Sequence, residues 1–197
     1  MSQIQYNKIF LIQVNKDLAI RYNALPVLQS KEAALRAETK RIRKQIKELD
    51  SKIEEMLASL SGMQRLWSEF PDLITIEKVN LAKKKAASIW VQVIDDVVFK
   101  TRSFSVFGHP AWFLEGIEII KKVIKLKIER INKEKILESV EQARRKTTQK
   151  VNLYEKVQIP FFEEAIRKVK RFLEDEENLS KSSQKVIKKR MEEAIYS

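Results

Sequence analysis

The chain of 197 residues has no cysteine, so it forms no disulfide and offers no thiolate to a metal or to a nucleophilic mechanism. Glycine occurs three times and proline four times. Turns must then be few and elements long, which favours helices over a sheet protein with its frequent turn signals. The glycines, Gly62, Gly108 and Gly116, are too scattered to cradle a phosphate. His109 is the single histidine, so no histidine pair can hold zinc, and a Ser/His relay has only that imidazole to build on. Beside Gly108 and Pro110 it reads as a loop residue. The N-terminal stretch MSQIQYNKIFLIQVNKD lacks the apolar core of a signal peptide, and no run approaches the roughly 20 apolar residues that span a bilayer. The expectation is a soluble cytoplasmic protein with no catalytic residue, no cofactor and no metal site.

Charge is abundant: Lys and Arg exceed Asp and Glu by 12. The excess is spread along the chain and mostly alternates in sign, which suits solvated helix faces better than a concentrated nucleic-acid site. With 44% apolar residues there is material for a real core.

That material is periodic at both ends. In the first 60 residues Leu11, Leu18, Leu25, Ile46, Ile53 and Leu60 fall in one heptad position. Val14, Leu28, Leu35, Ile42, Leu49, Met56 and Met63 fall in its companion, and only Arg21, Glu32 and Thr39 intrude. Such 3,4 spacing predicts one seam of a coiled coil, on a helix from near Asn7 to about Leu60 and roughly 80 Å long. Pro26 should kink or break it near Tyr22–Pro26, because proline removes a donor and clashes with the preceding turn. Ser61-Gly62 and Phe70-Pro71-Asp72 mark its end.

In the middle the heptads vanish. The segment LITIEKVNLAKKKAASIW keeps helical character, with Lys83, Lys84 and Lys85 on a solvated turn. IWVQVIDDVVF reads as two short strands turning at Asp95-Asp96, a hairpin near residues 88–105. Phe104, Phe107, Gly108, His109 and Pro110 read as a loop. Trp67, Trp90 and Trp112 all lie here, either as a core for this region or as a partner surface.

The second seam returns with Leu137, Val140, Thr147, Val151 and Tyr154 in one frame, then resumes as Phe162, Ile166, Val169 and Leu173. Between Tyr154 and Ile159-Pro160 the phase shifts. Two seams that cannot bury themselves separately must bury each other. The fold class is therefore all-α: a long antiparallel two-helix coiled coil of N- and C-terminal helices (1–60 and 114–197) around a small helical head (61–113) that includes the short hairpin. Ends of similar length imply partners whose numbers sum to roughly 190 to 195. That register sets Lys40, Arg41, Arg43 and Lys44 near Arg144, Arg145, Lys146 and Lys150 as a basic collar. Asn152 and Glu155 are placed to bond across the phase change. The acidic run Glu174, Asp175, Glu176, Glu177 reads as a solvated helix face paired with Lys181 and Lys185 rather than as a cation site.

Within the second seam, RRKTTQKVNLYEKVQIPFFEEAIRKVKRFLEDEE resembles the C-terminal signature of the D subunit of V-type (archaeal and bacterial A/V-type) rotary ATPases. The matching residues are Arg144 and Arg145, Val151-Asn152, Glu155, Ile159-Pro160, Ile166, Val169 and Leu173-Glu174. Leu28, Lys31, Ala34 and Leu35 match the family's first helix, while Pro26 and Ala24 depart from it. The resemblance implies a non-catalytic axle whose helices enter a ring of alternating A and B subunits, where ATP is hydrolysed or made. It further implies a head that joins the small F subunit and, through a socket subunit, the membrane rotor ring. Such a subunit would be peripheral to the membrane, and the basic collar would then face acidic loops of the ring. A coiled-coil scaffold and a basic helical nucleic-acid binder are the alternatives that composition leaves open.

Overall fold

A computed structural model describes residues 4–60, 70–103 and 112–195. Its elements are α1 (Lys8–Ser59), β1 (Ile74–Ala86), β2 (Ile89–Thr101), α2 (Trp112–Leu153), a five-residue π-helical segment (Tyr154–Gln158) and α3 (Ile159–Ile195). By their contacts the residues fall into two units, a terminal one of 1–30 with 147–197 and a central one of 31–146. The expected loop residues Phe104, Phe107, Gly108, His109 and Pro110, together with Ser61, Gly62, Met63 and Trp67, lie outside the described residues.

The first seam is buried as its periodicity predicts. From Leu11 to Leu60 every heptad position is buried or half-buried, the three intruders included. Thr39 fits because its hydroxyl donates back to the Leu35 carbonyl at 2.9 Å, so its polar atom enters the seam already bonded. The helix also continues through Pro26, where a kink or a break was expected, so there is no break. Pro26 is exposed while Leu25 and Leu28 are half-buried on the seam. Packing on both sides of the proline thus holds the turns that its missing donor would loosen, against a helix penalty of about 3 kcal/mol.

In each unit the return helix runs antiparallel to α1. In the central unit Arg43 meets Glu141 and Lys133 meets Gln45. In the terminal unit Arg21 meets Gln158 and Tyr6 meets Phe172. These pairs correct the expected register by about ten residues, or roughly three turns. Equal end lengths do not set the pairing; side-chain contacts do. The C-terminal helix consequently runs past the start of α1, and residues 174–192 are all exposed.

The phase change in the second seam has a clear structural form. Tyr154–Gln158 is π-helical, with the Ile159 amide bonded to the Tyr154 carbonyl, five residues back. Pro160 cannot donate, and its ring would crowd the Lys156 carbonyl in an ordinary turn. Widening that turn by one residue relieves the clash and rotates the downstream seam, so that Ile159, Ala165 and Val169 come inward and are buried.

The middle differs most from expectation. β1 and β2 form an antiparallel hairpin of two 13-residue strands, with Ala86 opposite Ile89. The segment expected to be helical, with Lys83, Lys84 and Lys85 on a turn, is thus a strand, and Asp95-Asp96 lies inside β2 rather than at the turn. The turn is Ala87-Ser88, where Ala87 takes a positive φ of 51°. Asn or Gly normally occupies such a position, so the sequence carries no standard hairpin signal.

One face of the hairpin explains why it forms. Ala86, Ile89, Val91 and Val93 pack on Leu35, Ile42, Ile46, Ile136, Leu137, Val140 and Ala143, so the tip shares the core of the helix pair. At its base Leu73, Phe113 and Ile117 cluster with Phe70, Ile74 and Trp112, and the Arg102 amide closes onto the Leu73 carbonyl at 2.9 Å.

Candidate functional site

Three surfaces carry the polar features of the fold. The first contains the expected basic collar. Lys40, Arg41, Arg43, Lys44, Arg144, Arg145 and Lys146 belong to the central unit and Lys150 to the terminal one. Arg43 and Arg145 converge on a single carboxylate, Glu141, at 2.6 and 3.8 Å. Arg41 pairs with Glu38 at 2.6 Å and Lys44 with Glu48 at 3.8 Å. Lys40, Arg144, Lys146 and Lys150 have no carboxylate within 4 Å among the described residues, and the buried Nε of Arg144 has no hydrogen-bond partner there. Of the seven expected collar residues in the central unit, Arg41, Arg43, Lys44 and Arg145 are therefore paired inside the chain, and Lys40, Arg144 and Lys146 pair with no carboxylate among the described residues.

The second surface surrounds the π-helical segment. Asn152 and Glu155, expected to bond across the phase change, are exposed and make no side-chain hydrogen bond among the described residues. Arg21 does this instead. Its Nε donates to Gln158 Oε1 at 3.2 Å, and its Nη1 donates to Asp17 Oδ1 at 2.8 Å and to the Asp17 carbonyl at 3.0 Å. Its guanidinium also lies 4.9 Å from the Phe162 ring centre. A charge in a seam position is thus satisfied by Asp17, Gln158 and Phe162, the last two at and just beyond the end of the widened turn. The signal was present in the sequence as an intruder in the heptads, but nothing local pointed to Gln158. Of the remaining motif residues, Val151 is half-buried, Ile159 buried and Pro160 exposed. Next to Arg21, the Tyr22 hydroxyl donates to Glu163, and that bond pushes the phenol above its ordinary pKa of 10.0, with smaller contributions from desolvation and the carboxylate charge.

The third surface is the hairpin. With its side-chain amide assigned the orientation that satisfies both of its ends, Asn132 on α2 grips the outer edge of β2: its nitrogen donates to the Gln92 carbonyl at 3.2 Å and its oxygen accepts from the Ile94 amide at 3.3 Å. A side-chain amide thereby stands where a third strand would pair. Lys125 adds a 3.8 Å pair with Asp96 and lies 5.9 Å from the Phe99 ring centre. The sequence marked Asp96 only as an expected turn residue and did not mark Asn132 or Lys125, because the contacts join segments that are far apart in the chain.

The acidic run is a solvated face. Glu177 pairs with Lys181 at 2.7 Å, and that hydrogen bond holds its carboxyl below the usual 4.5. Among the described residues no group of three or more His, Cys, Asp or Glu side chains could hold a metal ion, and no helix is long and apolar enough to cross a membrane.

Residues 10–189 match the family model of the ATP synthase D subunit. The V-type ATP synthase D subunit of Borreliella burgdorferi is 28% identical, over 95% of both chains. The corresponding V-type ATP synthase D subunit of Chlamydia pneumoniae is 25% identical over 96% of this chain and 94% of its own, and that of Chlamydia abortus 27% identical over 86% and 84%. A family match that begins in the first turns of α1, passes through the hairpin and ends near the tip of α3 shows that the chain belongs to the D-subunit family of ATP synthases.

Proposed function

We propose that the chain is the central-stalk rotor of a V-type ATPase or ATP synthase, carrying rotation between the nucleotide-processing A/B ring and the ion-translocating membrane rotor. The observation that supports this most strongly is the family match over residues 10–189 on a pair of long antiparallel helices. In this reading the chain performs no chemistry. A stiff, asymmetric helix pair turning inside a ring makes identical sites around it differ in turn, which couples rotation to nucleotide state without contact with nucleotide. The partners are the A and B subunits, the small F subunit and a socket subunit at the membrane. The chain sits on the cytoplasmic side as a peripheral member of the complex. Proton and sodium coupling are both compatible, since ion choice resides in the membrane subunits.

The surfaces acquire roles under this proposal. The terminal helices, with residues 174–192 exposed, are the part inserted into the ring. The collar residues that remain unneutralised, Lys40, Arg144, Lys146 and Lys150, face acidic ring loops, while Arg41, Arg43, Lys44 and Arg145 hold the helix surface in shape through Glu38, Glu48 and Glu141. The test is co-expression with the cognate A, B and F subunits. Stoichiometric co-purification and an A/B ring whose ATPase depends on this chain are expected. A chain that binds neither the F subunit nor a preassembled ring is not the rotor. Charge reversal by K40E and K146E should weaken assembly most at low salt, and an unchanged salt dependence would remove the collar from the account.

A further inference from the structure

The two readings of the tryptophans separate in the structure. Trp112 is half-buried and stacks edge-on against Phe113 at 4.5 Å, in the core at the hairpin base. Trp90, one residue from the hairpin turn, is 71% exposed. Strand alternation explains where it points. Val91 and Val93 face the helix pair, so Trp90 and Gln92 face away from it, and the cross-strand register sets Lys85 opposite Trp90 and Lys83 opposite Gln92. Leu81, opposite Ile94 further along the same face, is 52% exposed. Lys83, Lys84 and Lys85 have no carboxylate within 4 Å among the described residues. Exposing an indole ring to water is costly, and it sits here on a strand whose inner face is anchored by Val91 and whose outer edge is gripped by Asn132. A large aromatic held rigid and flanked by two lysines has the layout of a binding anchor with a charged rim.

We infer that the outer face of the hairpin tip, with Trp90 as anchor and Lys83 and Lys85 as rim, docks an acidic protein surface that offers an apolar pocket, on another member of the complex. The inference rests on the rotor reading for the identity of the complex. It rests on the hairpin geometry for the site. Charge complementarity makes the partner acidic, because Lys83 and Lys85, the cations on this face, meet no acid among the described residues. A protein partner fits better than nucleic acid. Phe99, the hairpin's other large aromatic, is covered by Lys125, and a single exposed ring gives no stacking series for successive bases. It also fits better than a membrane, since one indole and one leucine bury little area in an acyl boundary.

The experiment replaces Trp90 with the photo-crosslinking residue p-benzoylphenylalanine in the full chain, assembled with its cognate A, B and F subunits and illuminated. A control carries the same residue at Glu77, near the hairpin base. The expected result is one adduct from position 90, to a single partner protein and within a segment rich in Asp and Glu, with no matching adduct from position 77. W90A should weaken that partner's binding about tenfold and K83E/K85E should do so in a salt-dependent manner, while W90F, which keeps an aromatic ring, should restore most of it. Circular dichroism and retention of the hairpin's amide protection identify variants that fold. Intact assembly with no protein adduct, an adduct to nucleic acid or lipid, or W90A that folds and binds like the wild type would each overturn the inference alone. Failure of the wild-type chain to assemble would overturn the rotor reading and this inference with it.

Discussion

Replacing Asn132 with alanine tests the claim that the hairpin is held to α2 as much by backbone pairing as by apolar contact. Its side chain makes two hydrogen bonds to β2, at 3.2 and 3.3 Å, and loses both on truncation. At about 0.5–1.5 kcal/mol for each net hydrogen bond, N132A should cost the docked hairpin about 1–3 kcal/mol. Two neighbouring perturbations set the scale. V91A removes two methyl-sized groups from a side chain only 7% exposed, about 2 kcal/mol at 0.8 kcal/mol per buried carbon plus a small cavity term. K125A breaks a 3.8 Å pair whose side chains are 53% and 59% exposed, and should cost less than about 0.5 kcal/mol. The assay is amide hydrogen exchange resolved at Ile94 and its neighbours in β2, because opening the hairpin need not unfold the helix pair. The loss of protection should follow V91A ≈ N132A, then K125A. N132D is a sharper probe. A carboxylate still accepts from the Ile94 amide but repels the Gln92 carbonyl, so protection should fall about as far as in the alanine variant. Wild-type protection at Ile94 in N132A, or a greater loss in K125A than in N132A, would refute the edge-clamp account.

Further expectations follow from the same geometry. Replacing Ala87 with glycine should stabilise the hairpin by about 0.5–1 kcal/mol by relieving its positive φ, read as slower exchange in β1 and β2; a destabilised hairpin would mean that the turn is not strained there. L35A and V140A, at side chains that are 0% exposed, should each destabilise the central unit by about 2–5 kcal/mol in urea titrations, and losses below about 1 kcal/mol would place them outside the core. R21L should release the Gln158 side chain and shift the exchange pattern of residues 154–162, whereas an unchanged pattern would make the proline alone responsible for the widened turn. Acidification should loosen α3. Glu164 and Glu177 titrate below their ordinary value because they hydrogen-bond Lys168 and Lys181, so their contribution is present above pH 4.5 and lost as pH falls through their folded values. Helicity that is flat across that range would contradict the pairing. Tyr22 runs the other way: its bond to Glu163 persists below pH 10.0 and is lost as pH rises through the raised folded value, which a difference ultraviolet titration against Y22F reads directly.

The sequence made some of this legible and not the rest, for physical reasons. Heptads such as Leu35, Ile42, Leu49 and Ile53 declare a buried stripe because helical period and burial are local properties. Pro160 announced the phase change in the same way, since a missing donor is read from one residue, although not its π-helical form. A hairpin was legible near residues 88–105, but its extent and its turn were hidden for three reasons. LAKKKA reads as a helix surface, β1 turns few side chains toward the core, and the turn uses alanine in place of glycine. The register was hidden because Arg43–Glu141 and Lys133–Gln45 are chosen by tertiary complementarity. The grip of Asn132 on β2 joins two segments whose encounter no spacing foretells, and Arg21 stood out only as a flaw in the seam. The collar stretches were visible as runs of charge. Their internal neutralisation by Glu38, Glu48 and Glu141 was not.

The most direct test of the rotor reading uses the chain's lack of cysteine. A single cysteine placed at Ser183, on the exposed C-terminal helix, can be joined by a disulfide to a cysteine introduced in the inner wall of the A/B ring. The account predicts that oxidation stops ATP hydrolysis by the assembled complex and that reduction restores it, because the ring cannot cycle around a locked rotor. Hydrolysis continuing at the uncrosslinked rate, with the chain covalently fixed to the ring, would contradict it.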